Sequence, residues 1–138
     1  MATKILLIED NLDIRENTQE LLELSDYIVE VAENGKEGVR KAKDWTPDLI
    51  VCDIMMPELD GYGVLNILNK NPQTASIPFI FLTAKAEQDD FRKGMTLGAD
   101  DYLTKPFDET DLLTAIENRL RKYDLFKQNF EQTKEGLN

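Results

Sequence analysis

Five polar side chains that follow short apolar runs are the residues of this chain best suited to chemistry. They are three carboxylates, a hydroxyl and an ammonium, on Glu9, Asp10, Asp53, Thr83 and Lys105. A carboxylate can attack a phosphoryl group and become an acyl phosphate. Phosphoryl transfer depends chiefly on charge neutralisation and alignment, which a divalent cation, an ammonium and a hydroxyl can provide. The set therefore predicts phosphoryl transfer to one of the carboxylates.

The three carboxylates are the strongest part of this pattern, because on adjacent strands they would lie close to one another. Like charges that approach closely repel and raise each other's pKa. A divalent cation relieves the repulsion, and Mg²⁺ typically takes one or two carboxylates together with waters and phosphate oxygens. A single Asp after a strand is more often a helix cap than a ligand. Three acids at two strand ends, opposite a lysine and a threonine, favour a Mg²⁺ site.

These side chains can converge if the chain forms a parallel sheet, because the carboxyl ends of parallel strands lie along one edge. Open α/β sheets bind ligands at that edge. Strands that are buried on both faces appear as continuous apolar runs, and here amphipathic stretches separate the runs. The predicted strands are Lys4–Ile8, Ile28–Ala32, Asp48–Cys52, Pro78–Leu82 and Tyr102–Thr104, and the predicted helices are Leu12–Leu24, Lys36–Trp45, Gly63–Asn69, Glu87–Leu97 and Asp108–Tyr123.

Composition agrees with one compact domain and argues against several functions. The 138 residues carry a net charge of −11 and no histidine. A nucleic-acid-binding surface would need clustered Lys and Arg, and catalysis or metal ligation by histidine is excluded. The sequence has no secretory apolar segment and no stretch long enough to span a bilayer, so the cytoplasm is the expected compartment. Cys52 lies inside an apolar run and is expected to be a buried structural thiol.

Four motifs occur in an order that is typical of one family. They are Ile5–Asn11, Asp53–Gly61, Leu82–Ala84 and Gly98–Phe107. Together they make residues 4 to about 122 resemble a response-regulator receiver domain of two-component signalling, of the chemotaxis-receiver type. The resemblance implies a doubly wound α/β fold with helices on both faces of a five-stranded parallel sheet. It also implies the flavodoxin-like strand order 2-1-3-4-5.

The resemblance implies a role for each matching acid. Asp53 resembles the phospho-acceptor. Glu9 and Asp10 resemble the acidic pair that holds Mg²⁺, Asp10 by direct coordination and Glu9 mainly through water. The metal set implied in this way is Glu9, Asp10, Asp53 and the backbone carbonyl of Met55, which resembles the third protein ligand.

The resemblance also implies how phosphorylation is detected. Thr83 and Lys105 resemble the pair that contacts the phosphoryl group, and Tyr102 resembles the aromatic switch residue that turns inward on activation. A histidine kinase would phosphorylate Asp53, and the surface formed by the fourth predicted helix, the fifth strand and the fifth helix would then change its affinity for partners.

The sequence also predicts local structural features at four further positions. Glu9 replaces the aspartate that is common at its position, which lengthens one arm of the acid pair. Asp26 stands where a glycine often ends the first helix, so Ser25–Asp26 should form a tight turn. Pro57 should fix the loop after Asp53, and Gly61 should allow the next helix to start close to the sheet.

The predicted function is a phosphoryl-accepting switch that catalyses only its own phosphorylation and dephosphorylation, and so is not an enzyme toward other substrates. The implied partners are a sensor histidine kinase or phosphotransfer protein, with a second copy of the chain and a downstream output domain as further candidates. No nucleic acid or membrane is expected to bind this domain. The alternatives are a phosphorylation-independent interaction module of the same fold, and a Mg²⁺-dependent phosphatase acting through an aspartyl phosphate.

Residues 1–122 are predicted to form the receiver domain and residues 123–138 a C-terminal helical extension or linker. A rough heptad register at the end of the last predicted helix is too short to predict a coiled coil. Two alternatives stay open for the chain as a whole, a stand-alone receiver and a fragment that ends before an output domain.

Overall fold

Five strands and four helices make up the described part of the chain. The computed structural model describes the backbone of residues 2–84, 99–105 and 107–136. It describes side chains for residues 2–83, 99–105 and 107–122. The predicted helix Glu87–Leu97 lies outside these residues. The elements are β1 (Lys4–Ile8), α1 (Leu12–Leu24), β2 (Ile28–Ala32), α2 (Gly35–Trp45), β3 (Leu49–Asp53), α3 (Gly61–Asn69), β4 (Phe79–Ala84), β5 (Asp101–Lys105) and α4 (Glu109–Gly136).

The sheet is parallel, and its strand order is β2-β1-β3-β4-β5, as the resemblance implied. The chain moves outward from β1 to β2 and then crosses back to β3 on the other side of β1. The carboxyl ends of β1 and β3 therefore flank the switch point, where doubly wound folds bind ligands. The register aligns Ile8 with Cys52 and Asp53 with Leu82. Glu9, Asp53 and Thr83 consequently lie at nearly the same level of the sheet.

Alternating strand residues form two apolar layers, one on each face. Leu6 and Ile8 belong to the layer covered by α2 and α3. Ile5 and Leu7 belong to the layer covered by α1 and α4. All five residues of β3 are buried, whereas β5 is only partly buried along its length. The continuous apolar runs therefore mark the central strands, as expected for parallel strands covered on both faces.

Polar residues between strands and helices act as N-caps. The side chains of Asn11, Asn34 and Asp60 accept hydrogen bonds from the backbone N–H three residues later, at 3.0, 2.8 and 2.8 Å respectively. Such caps satisfy N–H groups that have no partner within the helix. Because of these caps, α2 and α3 begin one and two residues earlier than the apolar pattern predicted.

Three strand ends also differ slightly from the prediction. The prediction placed three functional candidates just after their strands, but the backbone of each continues the hydrogen-bonded pairing of the sheet. The strands therefore include Asp53, Thr83 and Lys105. Asp53 pairs with Leu82, and Lys105 pairs with the backbone of residue 84. The sheet therefore holds the backbone of each of these functional candidates directly.

The tight turn predicted at Ser25–Asp26 is confirmed. Asp26 has a φ of 70°, in the left-handed region. Its N–H donates to the Glu23 carbonyl at 3.1 Å, and the N–H of Tyr27 donates to the Leu22 carbonyl at 3.2 Å. This hydrogen-bond pair is the Schellman motif, which normally has glycine at the left-handed position. Aspartate is one of the few other residues that tolerate that conformation.

The helix α4 is continuous to Gly136, so the backbone of residues 123–136 is helical. The division into a receiver domain at residues 1–122 and an extension beyond it stays a prediction. No helix among the described residues is long and apolar enough to cross a membrane.

The start of α3 lies against the sheet because Gly61 has no side chain. A Cβ atom at this position would lie 2.6 Å from the Asp53 carbonyl oxygen and 2.9 Å from the Ile54 Cα. Backbone atoms of a central strand cannot move away cheaply. We therefore expect Gly61→Ala to lower the free energy of unfolding by about 1–3 kcal/mol, the usual cost of overpacking. Urea denaturation measures this change.

Gly63 in the same helix provides the matched control. Its added Cβ would meet the Cδ1 atom of Leu59 at 2.5 Å, which is the end of a flexible side chain. Ala also has a higher helix propensity than Gly by about 1 kcal/mol. Gly63→Ala should therefore be nearly neutral or stabilising. Equal destabilisation by the two variants would contradict the close approach of Gly61 to the backbone of β3.

Candidate functional site

Three carboxylates meet at the switch point of the sheet. Glu9 and Asp10 follow β1, and Asp53 ends β3. One carboxylate oxygen from each residue lies within 4.8 Å of the other two. The residues differ in burial, since Glu9 is 0% exposed and Asp53 is 5% exposed, whereas Asp10 is exposed. The structure thus brings together the three acids that the sequence singled out.

Lys105 bridges the two buried acids from β5, two strands away from β3. Its Nζ donates to Glu9 Oε1 at 3.0 Å and to Asp53 Oδ1 at 3.2 Å. Burial alone would lower the pKa of Lys105, but the carboxylates of Asp53 and Glu9 outweigh it and raise the pKa. The ammonium therefore remains charged and is held between the acids.

One ammonium does not neutralise this cluster. The pKa of Glu9 is raised to about 7, chiefly by burial and secondly by the nearby charge of Asp53. Lys105 opposes this rise but does not cancel it. Burial also raises the pKa of Asp53, against the lowering influence of Lys105. Among the described residues, Glu9 Oε2 is buried with no hydrogen-bond donor. A buried carboxylate oxygen without a donor costs free energy, so the cluster has capacity for another cation.

The donor set fits Mg²⁺ on these observations. All three candidate side-chain ligands are carboxylates, and Mg²⁺ prefers hard oxygen donors. The unpartnered Oε2 supplies an acceptor on Glu9, which is a member of this group of acids. Met55 is two residues beyond Asp53 and 62% exposed. Ligation by its carbonyl stays a prediction.

Thr83 and Tyr102 lie on the adjoining strands β4 and β5. Thr83 is completely buried. Tyr102 is partly buried, and its ring contacts that of Phe81 edge to face, with 6.2 Å between the ring centroids. Phe81 and Thr83 are two residues apart on β4, so one strand links the site to the aromatic contact.

The loop between β3 and α3 holds the carboxyl end of β3 in place. The N–H of Gly61 donates to the Ile54 carbonyl at 2.8 Å, and the N–H of Leu59 donates to the Pro57 carbonyl at 2.9 Å. Glu58, between Pro57 and Leu59, has a φ of 71°. This three-residue turn reverses the chain just beyond Asp53.

Arg15 is a site-adjacent residue that the sequence reasoning missed. Its Nη1 donates to the backbone carbonyl of Glu9 at 2.9 Å. A signal was present in the sequence, because a cation near the N-terminus of a helix is unfavourable to the helix dipole. An arginine in the first turns of a helix, five residues after Asp10, is therefore expected to have a nearby hydrogen-bond acceptor.

Comparisons with known proteins agree on one family. The family model described as "Response regulator receiver domain" matches residues 5–117. Two similar curated proteins are the DNA-binding dual master transcriptional regulator RpaA of Synechocystis, 39% identical over 125 residues, and the alkaline phosphatase synthesis transcriptional regulatory protein PhoP of Bacillus subtilis, 38% identical over 137 residues. The matches cover 91% and 99% of this chain but 52% and 56% of those proteins, so the chain spans about half their length.

Solved structures agree with this match. A response regulator receiver domain protein from Clostridium thermocellum is 32% identical with a TM-score of 0.84, covering 90% of this chain and 98% of that one. The receiver domain of the Pseudomonas aeruginosa sensor histidine kinase PA1611 is 31% identical with a TM-score of 0.80, covering 87% of this chain and 98% of that one. The latter was solved with a magnesium ion coordinated in its active-site cleft.

Proposed function

Because this chain belongs to the response regulator receiver domain family, we propose that it is a switch in which Asp53 accepts a phosphoryl group. The observation that carries the proposal is the pair of contacts from Lys105 to Asp53 and Glu9, beside a buried Glu9 oxygen with no donor among the described residues. This arrangement has one carboxylate available as a nucleophile and positive charge already in place beside it. A structural ion pair would not need the additional acids.

The proposed transfer forms one bond and breaks one. An oxygen of the Asp53 carboxylate attacks phosphorus, and the bond from phosphorus to the donor atom breaks, with its electron pair leaving on the donor. Glu9, Asp10, Asp53 and the Met55 carbonyl would hold Mg²⁺, which would supply charge neutralisation at the phosphoryl oxygens. Lys105 and the Thr83 hydroxyl would donate to those oxygens, so Lys105 exchanges one acceptor for another.

The proposed switch follows from the change of charge at Asp53. An acyl phosphate adds about −1.5 to −2 charges, which would draw Lys105 and Thr83 toward it. Movement of Thr83 would let the Tyr102 ring turn further inward against Phe81. A change from about 1:99 to 99:1 needs roughly 5.5 kcal/mol of differential interaction, and one charge-assisted hydrogen bond supplies about 1.5–3 kcal/mol. Both phosphoryl contacts are therefore needed.

The proposed partners follow from the family. A sensor histidine kinase or phosphotransfer protein would donate the phosphoryl group in the cytoplasm. The surface that includes β5 and α4 would change affinity for a second copy of the chain or for an output domain. The curated relatives named above are transcriptional regulators about twice as long as the matched segment, which supports an output domain as one of these partners.

The experiment that tests the function is incubation with acetyl phosphate and Mg²⁺, followed by intact-mass measurement. The switch predicts addition of a single phosphoryl group and no turnover of a generic phosphate ester. Labelling should be lost when EDTA removes the ion. Absence of labelling would favour the phosphorylation-independent module, and multiple turnover of the ester would favour the phosphatase.

Mg²⁺ binding is expected to stabilise the folded protein against thermal unfolding. A ligand at tenfold its Kd stabilises the native state by about 1.4 kcal/mol, so Mg²⁺ should raise the melting temperature by several degrees. Asp10→Ala should remove most of this response. It should also leave the metal-free protein at least as stable as the wild type, because one of three mutually repelling acids is gone.

Asp13→Ala is the matched control for this measurement. Asp13 is an exposed acid in the first turn of α1, three residues from Asp10. Its removal changes the net charge equally but takes no oxygen from the cluster. An Asp10→Ala protein whose thermal shift with Mg²⁺ matches that of Asp13→Ala would show that Asp10 is not a ligand.

A further inference from the structure

Arg15 is the one cation that contacts the backbone of the acid pair among the described residues. We propose that Arg15 is a positioning residue, which fixes the direction of the Asp10 carboxylate and so sets the affinity of the site for Mg²⁺. The inference rests on the proposed function, because it assumes that the acid cluster binds the ion. It goes further in giving a role to a side chain that contacts none of the three carboxylates in the structure.

The two peptide units that flank Glu9 are each held by a hydrogen bond. Arg15 Nη1 donates to the Glu9 carbonyl at 2.9 Å, and the Glu9 N–H donates to the carbonyl of Ala32, at the end of β2, at 3.0 Å. Because a peptide unit is planar, fixing the Glu9 oxygen also fixes the Asp10 nitrogen and Cα. The direction of the Asp10 side chain then depends on few remaining torsions.

This restraint acts where the regular elements leave the chain least constrained. β1 ends at Ile8 and α1 begins at Leu12, so Glu9 and Asp10 belong to neither. The α1 N-terminus already has a cap, since Asn11 accepts from Ile14 at 3.0 Å. Arg15 is therefore not required as a cap, and its guanidinium bonds to the turn that carries the ligands.

Positioning and simple electrostatics make opposite predictions for Arg15. The guanidinium is a positive charge beside an acidic cluster, and by Coulomb repulsion alone it would weaken the binding of a cation. Removing the charge would then tighten Mg²⁺ binding. If the hydrogen bond to the Glu9 carbonyl positions Asp10, removing it must weaken Mg²⁺ binding, in spite of the lost repulsion. The sign of the change in the Kd for Mg²⁺ therefore distinguishes positioning of Asp10 from simple charge repulsion.

The test compares Arg15→Met, Arg15→Lys and Arg40→Met by NMR titration with Mg²⁺ in folded protein. Methionine keeps the apolar stem without a donor, whereas lysine keeps the charge and one donor. Arg40 is the control, because its side chain is 63% exposed on α2 and pairs only loosely with Asp44, at 3.8 Å. Arg15→Met should bind Mg²⁺ about tenfold more weakly, at the lower end of the effect of removing outer-shell partners. Arg15→Lys should recover most of the affinity, and Arg40→Met should not weaken it.

A second readout needs no metal. In Mg²⁺-free protein, the Glu9 amide, which donates to the Ala32 carbonyl, should exchange with solvent faster in Arg15→Met than in the wild type, while amides of the core strand β3 exchange as before. Should Arg15→Met fail to fold, Arg15→Leu, which also lacks a donor, is measured by the same two criteria. Unchanged or tighter Mg²⁺ binding in the donor-less variant overturns the positioning role alone. A wild type that shows no saturable Mg²⁺ response overturns the proposed function together with it.

Discussion

Asp53→Asn is expected to take up no phosphoryl group from acetyl phosphate, whereas the wild type takes up one. The amide of asparagine has the shape of the carboxylate but cannot serve as its nucleophilic oxygen. Folding should be preserved, because burial disfavours the charged form of Asp53, as its raised pKa indicates. Intact-mass spectra measure the labelling directly, and thermal denaturation confirms that the variant is folded.

Asp60→Asn is the matched control for this result. Asp60 ends the loop that follows β3, and its side chain caps α3 by accepting from the Gly63 N–H at 2.8 Å. Asparagine caps helices as well as aspartate does, so this variant loses one charge without losing structure. It should be labelled like the wild type. Labelling of Asp53→Asn at the level of Asp60→Asn would rule out Asp53 as the phospho-acceptor.

The free energy of unfolding of the Mg²⁺-free protein is expected to fall as the pH rises from about 4.5 to about 7. The pKa of Glu9 is raised from 4.5 to about 7 in the folded state. Between these values the folded protein binds more protons than the unfolded chain, so stability decreases with pH. At about 1.4 kcal/mol per pKa unit, the loss attributable to Glu9 is about 3–4 kcal/mol.

The neighbours of Glu9 set the limits of this effect. The pKa of Asp53 is raised as well, which adds loss of stability in the same direction. The pKa of Lys105 is raised above 10.5, so Lys105 stays protonated throughout this range and adds no slope. Mg²⁺ should reduce the pH dependence, because a bound cation favours the ionised carboxylates.

Urea denaturation at pH 5, 6 and 7 in EDTA checks this expectation. Glu9→Gln should reduce the slope of the pH dependence, because an amide does not titrate and only the contribution of Asp53 remains at the acid cluster. Glu20→Gln, a change at an exposed residue of α1, should retain the wild-type slope. A Glu9→Gln protein with the pH dependence of Glu20→Gln would show that Glu9 is not the group responsible.

The sequence by itself determined the elements and the identity of the candidate chemistry. The strand predicted at Asp48–Cys52 is found at Leu49–Asp53 with all five residues buried, and α1 has the bounds that its apolar pattern predicted. These features depend on local periodicity and caps, which neighbouring residues encode. The convergence of Glu9, Asp10 and Asp53 also followed, because parallel strands bring their carboxyl ends to one edge.

Tertiary structure alone decided how the side chains meet. Lys105 and Glu9 are 96 residues apart in the sequence and 3.0 Å apart in space, a contact that depends on the strand order and register of the whole sheet. The burial that raises the pKa of Glu9 likewise arises from the packing of β1 against the neighbouring strands and helices. Desolvation and hydrogen bonding depend on surroundings supplied by distant segments, and local sequence patterns do not record those surroundings.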